Sequence, residues 1–337
     1  MPVVETVAPE AGETPSRRPP GEVLGLYTPY GAASPRGATY YARILRCARE
    51  HALANVAKLR PQVLDEGLST GFLWHAALEA YYRHLQKVQA ERGIAWARTH
   101  KRGADAITLS DAERAAFAVV DKLRQEPGYE EAFATLSRML RAYFELVTDH
   151  WYVLAVEEQL VLYHPIVYSA RLDLVVIDMG ESPEGDVVRI IEHKSARAIT
   201  SDLLAGYQLN LQVLGQAYLY LRCVDTTRYP RLGSIVISIT SKTKVPNVVR
   251  VQVVPTARGL EAFERAVQSY GKLAELQEAQ GYPPNLTVCS GALRGFRSCP
   301  YYALCFAEPD LDVARLATED PPPGFVRDGE IDSDYEE

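Results

Sequence analysis

The stretch whose reading decides the fold is "RIIEHKSA": Arg189-Ile190-Ile191-Glu192-His193-Lys194-Ser195-Ala196. It starts as a β-branched run of the kind that fills a buried strand and ends in three ionisable side chains. Side chains two apart on a strand share a face, so Glu192 and Lys194 point the same way. Just upstream, "SARLDLVVID" (169–178) reads as another strand, with Asp173 set among Leu172, Leu174, Val175 and Val176. A lone carboxylate buried in such a strand costs several kcal/mol unless it is paired or binds a cation. "MGESPEGD" (179–186) supplies a turn between the two. Paired as a hairpin, they make Asp173 and Glu192 cross-strand neighbours at roughly 5 Å. Two carboxylates that close repel each other, and a hard divalent cation relieves the repulsion. Mg²⁺ is typically held by one or two carboxylates together with water and substrate phosphate. Lys194, on the same face, would orient an attacking water and stabilise charge developing on a phosphate. Taken singly, Asp173 or Glu192-x-Lys194 reads equally well as a core ion pair. The specific signal is the order: Asp, hairpin, Glu-x-Lys.

Two flanking helices add to it. In "GFLWHAALEAYY" (71–82), His75 shares a helix face with Phe72 and Glu79. A single His on an apolar helix face is ordinarily a satisfied core residue. Beside Asp173 and Glu192 it becomes a candidate nitrogen ligand, which favours Mn²⁺ over Mg²⁺ because Mn²⁺ accepts imidazole more readily. In "YQLNLQVLGQAYLYL" (207–221), Gln208, Gln212 and Gln216 recur every four residues on an otherwise apolar helix. They read either as a polar helix edge or as amides for the metal-site water or a DNA phosphate.

The rest of the pattern is α/β. Helices are expected at 39–60, 70–92 (Ser69 or Thr70 as N-cap, Gly93 as stop), 110–125, 129–149, 202–222 and 256–279. Strands are expected at 151–163, 166–178, 187–195, 233–240 and 248–254, with a basic loop at 94–106. This order predicts a mixed sheet with helices packed on it. The chain has 337 residues and a formal net charge of −7. From Glu319 onward there are eight Asp/Glu against one Arg, so residues 1–318 balance at 35 acidic and 35 basic. The acidity belongs to a tail and does not oppose an anionic partner. Residues 1–22 and 319–337 read as disordered. "MPVVETVAPEAGETPSRRPP" has no apolar core of a secretory signal, and no run is long enough to span a bilayer. A cytoplasmic protein (host cytoplasm if phage-encoded) is expected.

These residues resemble the PD-(D/E)XK nuclease superfamily, in its RecB-like exonuclease branch, which includes AddB-type, CRISPR-adaptation and phage exonucleases. Gly71 to His75 matches the helix motif of that branch. Asp173 matches the strand motif, with Ala170 where Gly is frequent. Glu192-His193-Lys194 matches the acidic-x-Lys strand. Gln212 matches the final helix motif, with Gln216 where the family has Tyr. Glu158 matches an acidic position before the Asp strand. The likeness spans about 39–306. It implies a restriction-endonuclease-like core at 23–318 with a helical insertion at about 94–149 and a C-terminal cysteine segment at 289–305. It also implies a metal-dependent DNA exonuclease of recombination, repair or phage DNA processing. Asp173, Glu192, His75 and the main-chain carbonyl of His193 would hold Mg²⁺ or Mn²⁺, and Lys194 and Gln212 would serve catalysis.

Iron–sulfur members of the branch carry one early Cys and three late ones. Cys47, Cys289, Cys299 and Cys305 follow that layout, except that nine residues separate the second and third. A [4Fe–4S] cluster, a structural zinc and reduced packed thiols all remain open. Cys223 reads as structural. Arg83, Lys87, Arg98, Lys101 and Arg102, near Trp96, form a basic segment that could lie along DNA, or a solvated face. DNA is the expected partner. The chain has no Gly-x-x-x-x-Gly-Lys-Ser/Thr phosphate loop, so unwinding would need a helicase or recombination protein in trans. The rival readings are a non-catalytic DNA-end binder and a restriction-type endonuclease.

Overall fold

The computed structural model describes residues 36–61, 66–121, 130–180, 186–208, 210–225, 229–289, 299–307 and 312–327. Its centre is a five-stranded sheet of order β2-β3-β4-β5-β6. The strands are β2 (Trp151–Leu162), β3 (Tyr168–Asp178), β4 (Val187–Ala196), β5 (Leu232–Ser241) and β6 (Val248–Val253). All pairings are antiparallel except β4–β5, which is parallel. A parallel pair needs a crossover, supplied here by the helices between residues 201 and 223. The three expected strands at 151–195 and the hairpin of β3 with β4 are present. Leu174 pairs with Ile191, which puts Asp173 next in register to Glu192.

Both faces of the sheet are covered, as its unbroken apolar strands require. Val175, Ile177, Val188, Ile190 and Ile237 pack with Tyr41, Val213, Ala217, Phe263 and Val267. These last five sit on α1 (Ala38–Arg46), α8 (Leu211–Cys223) and α9 (Ala257–Ala279). On the other face, Leu174, Val176 and Ile191 pack with Trp74, Leu78, Leu136, Leu140 and Tyr143. Those come from α3 (Glu66–Arg92) and α6 (Glu130–Leu146); α5 (Ala106–Asp121) completes the layer. The result is the mixed sheet flanked by helices that a restriction-endonuclease-like core requires.

One buried amide fixes α3 against the sheet. Gln89 donates from Nε2 to the carbonyls of Gly103 (3.0 Å) and Trp151 (2.9 Å), and its Oε1 accepts from Val153 N at 2.7 Å. Gly103 has φ +72°, and a Cβ there would lie 2.2 Å from the Trp151 carbonyl oxygen. Only glycine permits that approach.

Several expectations are corrected. The helix expected at 39–60 is α1, then α2 (Ala48–His51), a π-turn (Ala52–Val56) and β1 (Leu59–Pro61), because Cys47 is extended (φ −162°, ψ 120°). The helix α3 starts at Glu66, before Ser69 and Thr70, so neither caps it; Gly93, at φ +83°, does end it. Within 94–106, α4 (Ile94–Arg98) and a 3₁₀ turn (Lys101–Gly103) replace a plain loop. The helix expected at 202–222 is broken into α7 (Ser201–Ala205) and α8, because Asn210 is extended and its side chain accepts from Gln212 N to cap the second. Near the C-terminus lie α10 (Leu286–Cys289), α11 (Tyr302–Ala307), α12 (Val313–Leu316) and β7 (Phe325–Arg327), and β7 pairs with β1. So residues 319–327 of the expected acidic tail include a strand. Residues 1–22 and 328–337 lie outside the described residues. Among the described residues, no helix is long and apolar enough to cross a membrane.

Candidate active site

The site lies where α3, β2, β3, β4 and α8 meet. Asp173, 8% exposed, sits on β3 and accepts from the backbone N–H of His193 at 2.7 Å. His75, on α3, places Nδ1 3.3 Å from the same Asp173 oxygen. Opposite Asp173, between the pairs Val156–Leu174 and Glu158–Leu172, stands Glu157 of β2. His75, Glu157 and Asp173 each offer a donor atom within 4.8 Å of the others, the spacing that one metal ion can bridge.

Glu157 is the residue that sequence reasoning missed by one position. Glu158 was expected, yet Glu157 faces the site. The run "WYVLAVEE" has no polar–apolar alternation to show which of two adjacent acids points inward. The register of β2 against β3 shifts between Val153 and Ala155, and Glu157 adopts φ +51°, in the left-handed region that non-glycine residues avoid. Such strain costs of order 1–3 kcal/mol and gathers at functional sites. Arg171, two residues before Asp173 on β3, pairs with Glu157 at 2.7 Å.

Glu192 is 1% exposed, and three side chains donate to its carboxylate. Lys194 Nζ and Gln212 Nε2 (2.7 Å) reach Oε1, and Gln216 Nε2 reaches Oε2 at 2.5 Å. Lys194 Nζ also donates to Gln212 Oε1 at 3.2 Å. The sharper of the two readings of the glutamine stripe therefore needs a different partner: these amides hold a carboxylate. Gln208 is exposed and lies outside α8. Helix α8 comes this close to the sheet because of Gly215, where a Cβ would lie 2.3 Å from the Tyr168 hydroxyl. At Gly71 a Cβ would meet only Ser195 Oγ, at 3.8 Å, so no clash requires glycine there.

The charge balance fits a cation. Burial, and then the Asp173 charge, push the Glu157 carboxyl up to about 8, against the opposing pull of Arg171 and His75. Burial and Asp173 likewise raise Glu192, partly offset by Lys194 and Gln216. Burial alone would raise Asp173, but His75 outweighs it and holds Asp173 below the usual carboxylate range. Burial works against the charged forms of His75 and Lys194 too, yet the neighbouring carboxylates outweigh it and raise both. Three carboxylates crowd this site, and burial together with the Asp173 charge raises two of them, which is the electrostatic condition that a divalent ion relieves. The donor set, one imidazole with carboxylates, suits Mn²⁺ or Mg²⁺. The His193 ring has no such part. It is 2% exposed, neither ring nitrogen has a hydrogen-bond partner among the described residues, and it stacks on Tyr82 with ring centroids 5.6 Å apart.

The expected DNA-contact residues are spread out. Arg83 pairs with Glu79 at 2.7 Å, eight residues beyond His75 on α3, or roughly 12 Å along the axis. Lys87 and Lys101 are exposed. Arg102 donates to the Tyr81 hydroxyl at 3.4 Å. Arg98 pairs with Asp186 at 3.0 Å, just before β4 begins, so it lies at the far end of that strand from Glu192, roughly 20 Å away.

Cys47, Cys289 and Cys299 all lie near Cys305, but among the described residues no three of these sulfurs come within 4.8 Å of one another. Burial pushes the Cys305 thiol up to about 11; Arg49 opposes this, and Cys299, Cys47 and Cys289 lie close enough to raise it further. Cys299 and Cys305 pack with Ala52, Leu53 and Leu59, so the early and late parts of the chain share a small core. Cys223 lies elsewhere, with Sγ 3.8 Å from the Val161 carbonyl oxygen.

With this geometry in view, comparison with known proteins gives one firm result. The model of the PD-(D/E)XK nuclease superfamily matches residues 38–306. The chain belongs to that superfamily, whose members are nucleases that use divalent metals. Among solved structures, it is similar to a candidate exonuclease from Eubacterium rectale, at 12% identity and a TM-score of 0.38, covering 78% of this chain and 88% of that one. No curated protein matches it.

Proposed function

We propose that this chain is a Mg²⁺- or Mn²⁺-dependent deoxyribonuclease that works from DNA ends or on single strands. The observation that carries this reading is the convergence of His75, Glu157 and Asp173, from one helix and two strands, beside the buried Glu192 and its ion pair with Lys194. His75, Glu157 and Asp173, with Glu192 and the main-chain carbonyl of His193, would hold the ion. When bound, it supplies Lewis-acid polarisation of the scissile phosphate and acidifies water. Lys194 stays protonated in this setting, so it orients the attacking water and stabilises charge on the phosphate as a cation. Gln212 keeps the Lys194 ammonium in place through Oε1. Arg83 and Lys87 continue from His75 along α3 and would track the backbone of the strand being cut.

The same reading extends to Cys47, Cys289, Cys299 and Cys305 as ligands of a [4Fe–4S] cluster that staples the chain's early and late parts. What supports it is that Cys47, Cys289 and Cys299 lie near Cys305, and that Cys299 and Cys305 pack into a small core shared by early and late parts of the chain. A structural zinc is the alternative for the same four thiols. Recombination, repair or phage DNA processing, with a helicase or recombination protein acting in trans, is the setting such an enzyme would serve.

The test is incubation of linear single-stranded, linear double-stranded and closed circular DNA with Mn²⁺ or Mg²⁺. Degradation of the linear forms alone, lost in Asp173→Ala and Lys194→Ala, is the expected result. Cutting of the circle would replace the exonuclease by an endonuclease. No cutting by folded wild type would leave the DNA-end binder.

A further inference from the structure

Two oxygens of the buried Glu192 carboxylate are served unequally. Among the described residues, Oε1 has two donors, Lys194 and Gln212, whereas Oε2 has Gln216 alone. Only the NH₂ end of an amide can donate to a carboxylate, so the orientation of Gln216 is fixed by chemistry. Gln216 is fully buried, and among the described residues its own Oε1 has no hydrogen-bond partner. Leaving that oxygen unpaired is unfavourable, so the amide is turned toward Glu192 at the expense of its own satisfaction. The close approach at Gly215 holds the backbone that carries it.

We propose that Gln216 is a positioning residue that fixes the Glu192 carboxylate independently of Lys194. This inference rests on the nuclease reading above. An ammonium that alone held Glu192 could not also orient water. With Gln216 on Oε2 and Gln212 on Oε1, the carboxylate keeps its orientation when Lys194 turns to the phosphate. The glutamine standing where the resembled family has tyrosine thus has a defined task here.

The test compares wild type with Gln216→Met, close in shape but without a donor, and with Gln212→Met. Mn²⁺ binding to the metal-free protein is measured by titration calorimetry with MnCl₂, and cleavage by kinetics on linear DNA. Partners that orient a metal-site ligand typically change affinity or rate by about 10–100-fold. Gln216→Met is expected to weaken Mn²⁺ binding and lower kcat by about tenfold, the low end of that range, with KM for DNA unchanged. Gln212→Met, which leaves Lys194 on Oε1, should lose less in Mn²⁺ affinity. A Gln216→Met protein with wild-type Mn²⁺ affinity and kcat overturns the proposal. So does a loss confined to melting temperature. If Gln216→Met does not fold, Gln216→Asn, whose amide is one methylene too short, takes its place with the same expected losses. Failure of wild type to bind Mn²⁺ or cut DNA would instead sink the underlying nuclease reading.

Discussion

The oxygen- and nitrogen-lined site at the sheet and the thiol-lined corner near the chain ends are assembled in opposite ways. At the sheet, backbone pairing does the placing. Once β3 and β4 form a hairpin, Asp173 and Glu192 are neighbours in register, within twenty residues of each other. In the cysteine corner, residues 47 and 305 meet through side-chain packing and a few long-range bonds. The Tyr301 hydroxyl donates to the Leu59 carbonyl at 2.7 Å, and the Asn285 amide to the Arg46 carbonyl at 2.8 Å. The first site stands on the central sheet, while the second has only a small cluster of its own. Damage to the first should therefore alter chemistry and spare the fold. Damage to the second should loosen the fold first.

The sharpest way to break this contrast is Asp173→Asn. It removes the carboxylate facing both His75 and the His193 amide, and should lower cleavage by on the order of 10³-fold with little change in melting temperature. An equally large drop in melting temperature would show that the site is structural.

Next comes the pair of adjacent acids on β2. Glu157→Gln should lower cleavage or Mn²⁺ affinity by roughly 10–100-fold, while Glu158→Gln stays within about twofold. The reverse ranking, read by the same kinetics, would move the site back by one residue.

Gly215→Ala tests the approach of α8 to the sheet. Its methyl must displace Tyr168, at an overpacking cost of about 1–3 kcal/mol. Chemical denaturation measures that cost, and a matching fall in cleavage would show that the two glutamines have been drawn off Glu192.

In the cysteine corner, Cys305→Ser should lower the melting temperature by several degrees, at roughly 2–4 °C per kcal/mol, and Cys223→Ser should not. Visible absorbance or bound zinc in wild type, lost in Cys305→Ser, would identify what the thiols hold.

The smallest expected effect is a pH dependence next to that corner. His51 is 3% exposed and accepts from Asn55 at its Nδ1. Burial, and then the charges of Arg43 and Arg36, push it down to about 4. Its folded value lies below its unfolded value near 6.5, so between them the unfolded chain binds the extra proton. Stability is complete above about pH 6.5 and should fall as the pH drops toward 4. Melting curves of His51→Gln should show a flatter decline over that window.

Much of this molecule was legible before its structure. The succession of strands, the hairpin and the Asp173…Glu192-x-Lys194 pattern are local facts, because apolar β-branched runs and turn residues are encoded within a few positions. The Cys47 and C-terminal cysteine grouping was legible only through resemblance, since nothing in a sequence brings residues 240 apart together. The inward acid on β2 was misread because a register shift and one left-handed residue turn Glu157, not Glu158, toward Asp173. The helix break at 206–210 was missed because the glutamine spacing at 208, 212 and 216 reads as one continuous helix, whereas Gly206 ends the first helix and the Asn210 side chain caps the second. Sequence alone thus determined the superfamily and the order of its motifs along the chain. Tertiary packing decided which groups touch: the proximity of Glu157 to His75, and the clasp of Gln212, Gln216 and Lys194 on Glu192. The reason is that side-chain distances depend on how helices seat on the sheet. That seating is set by close approaches such as Gly215 on Tyr168 and by the buried Gln89 amide, whose partners lie up to 64 residues away in the chain.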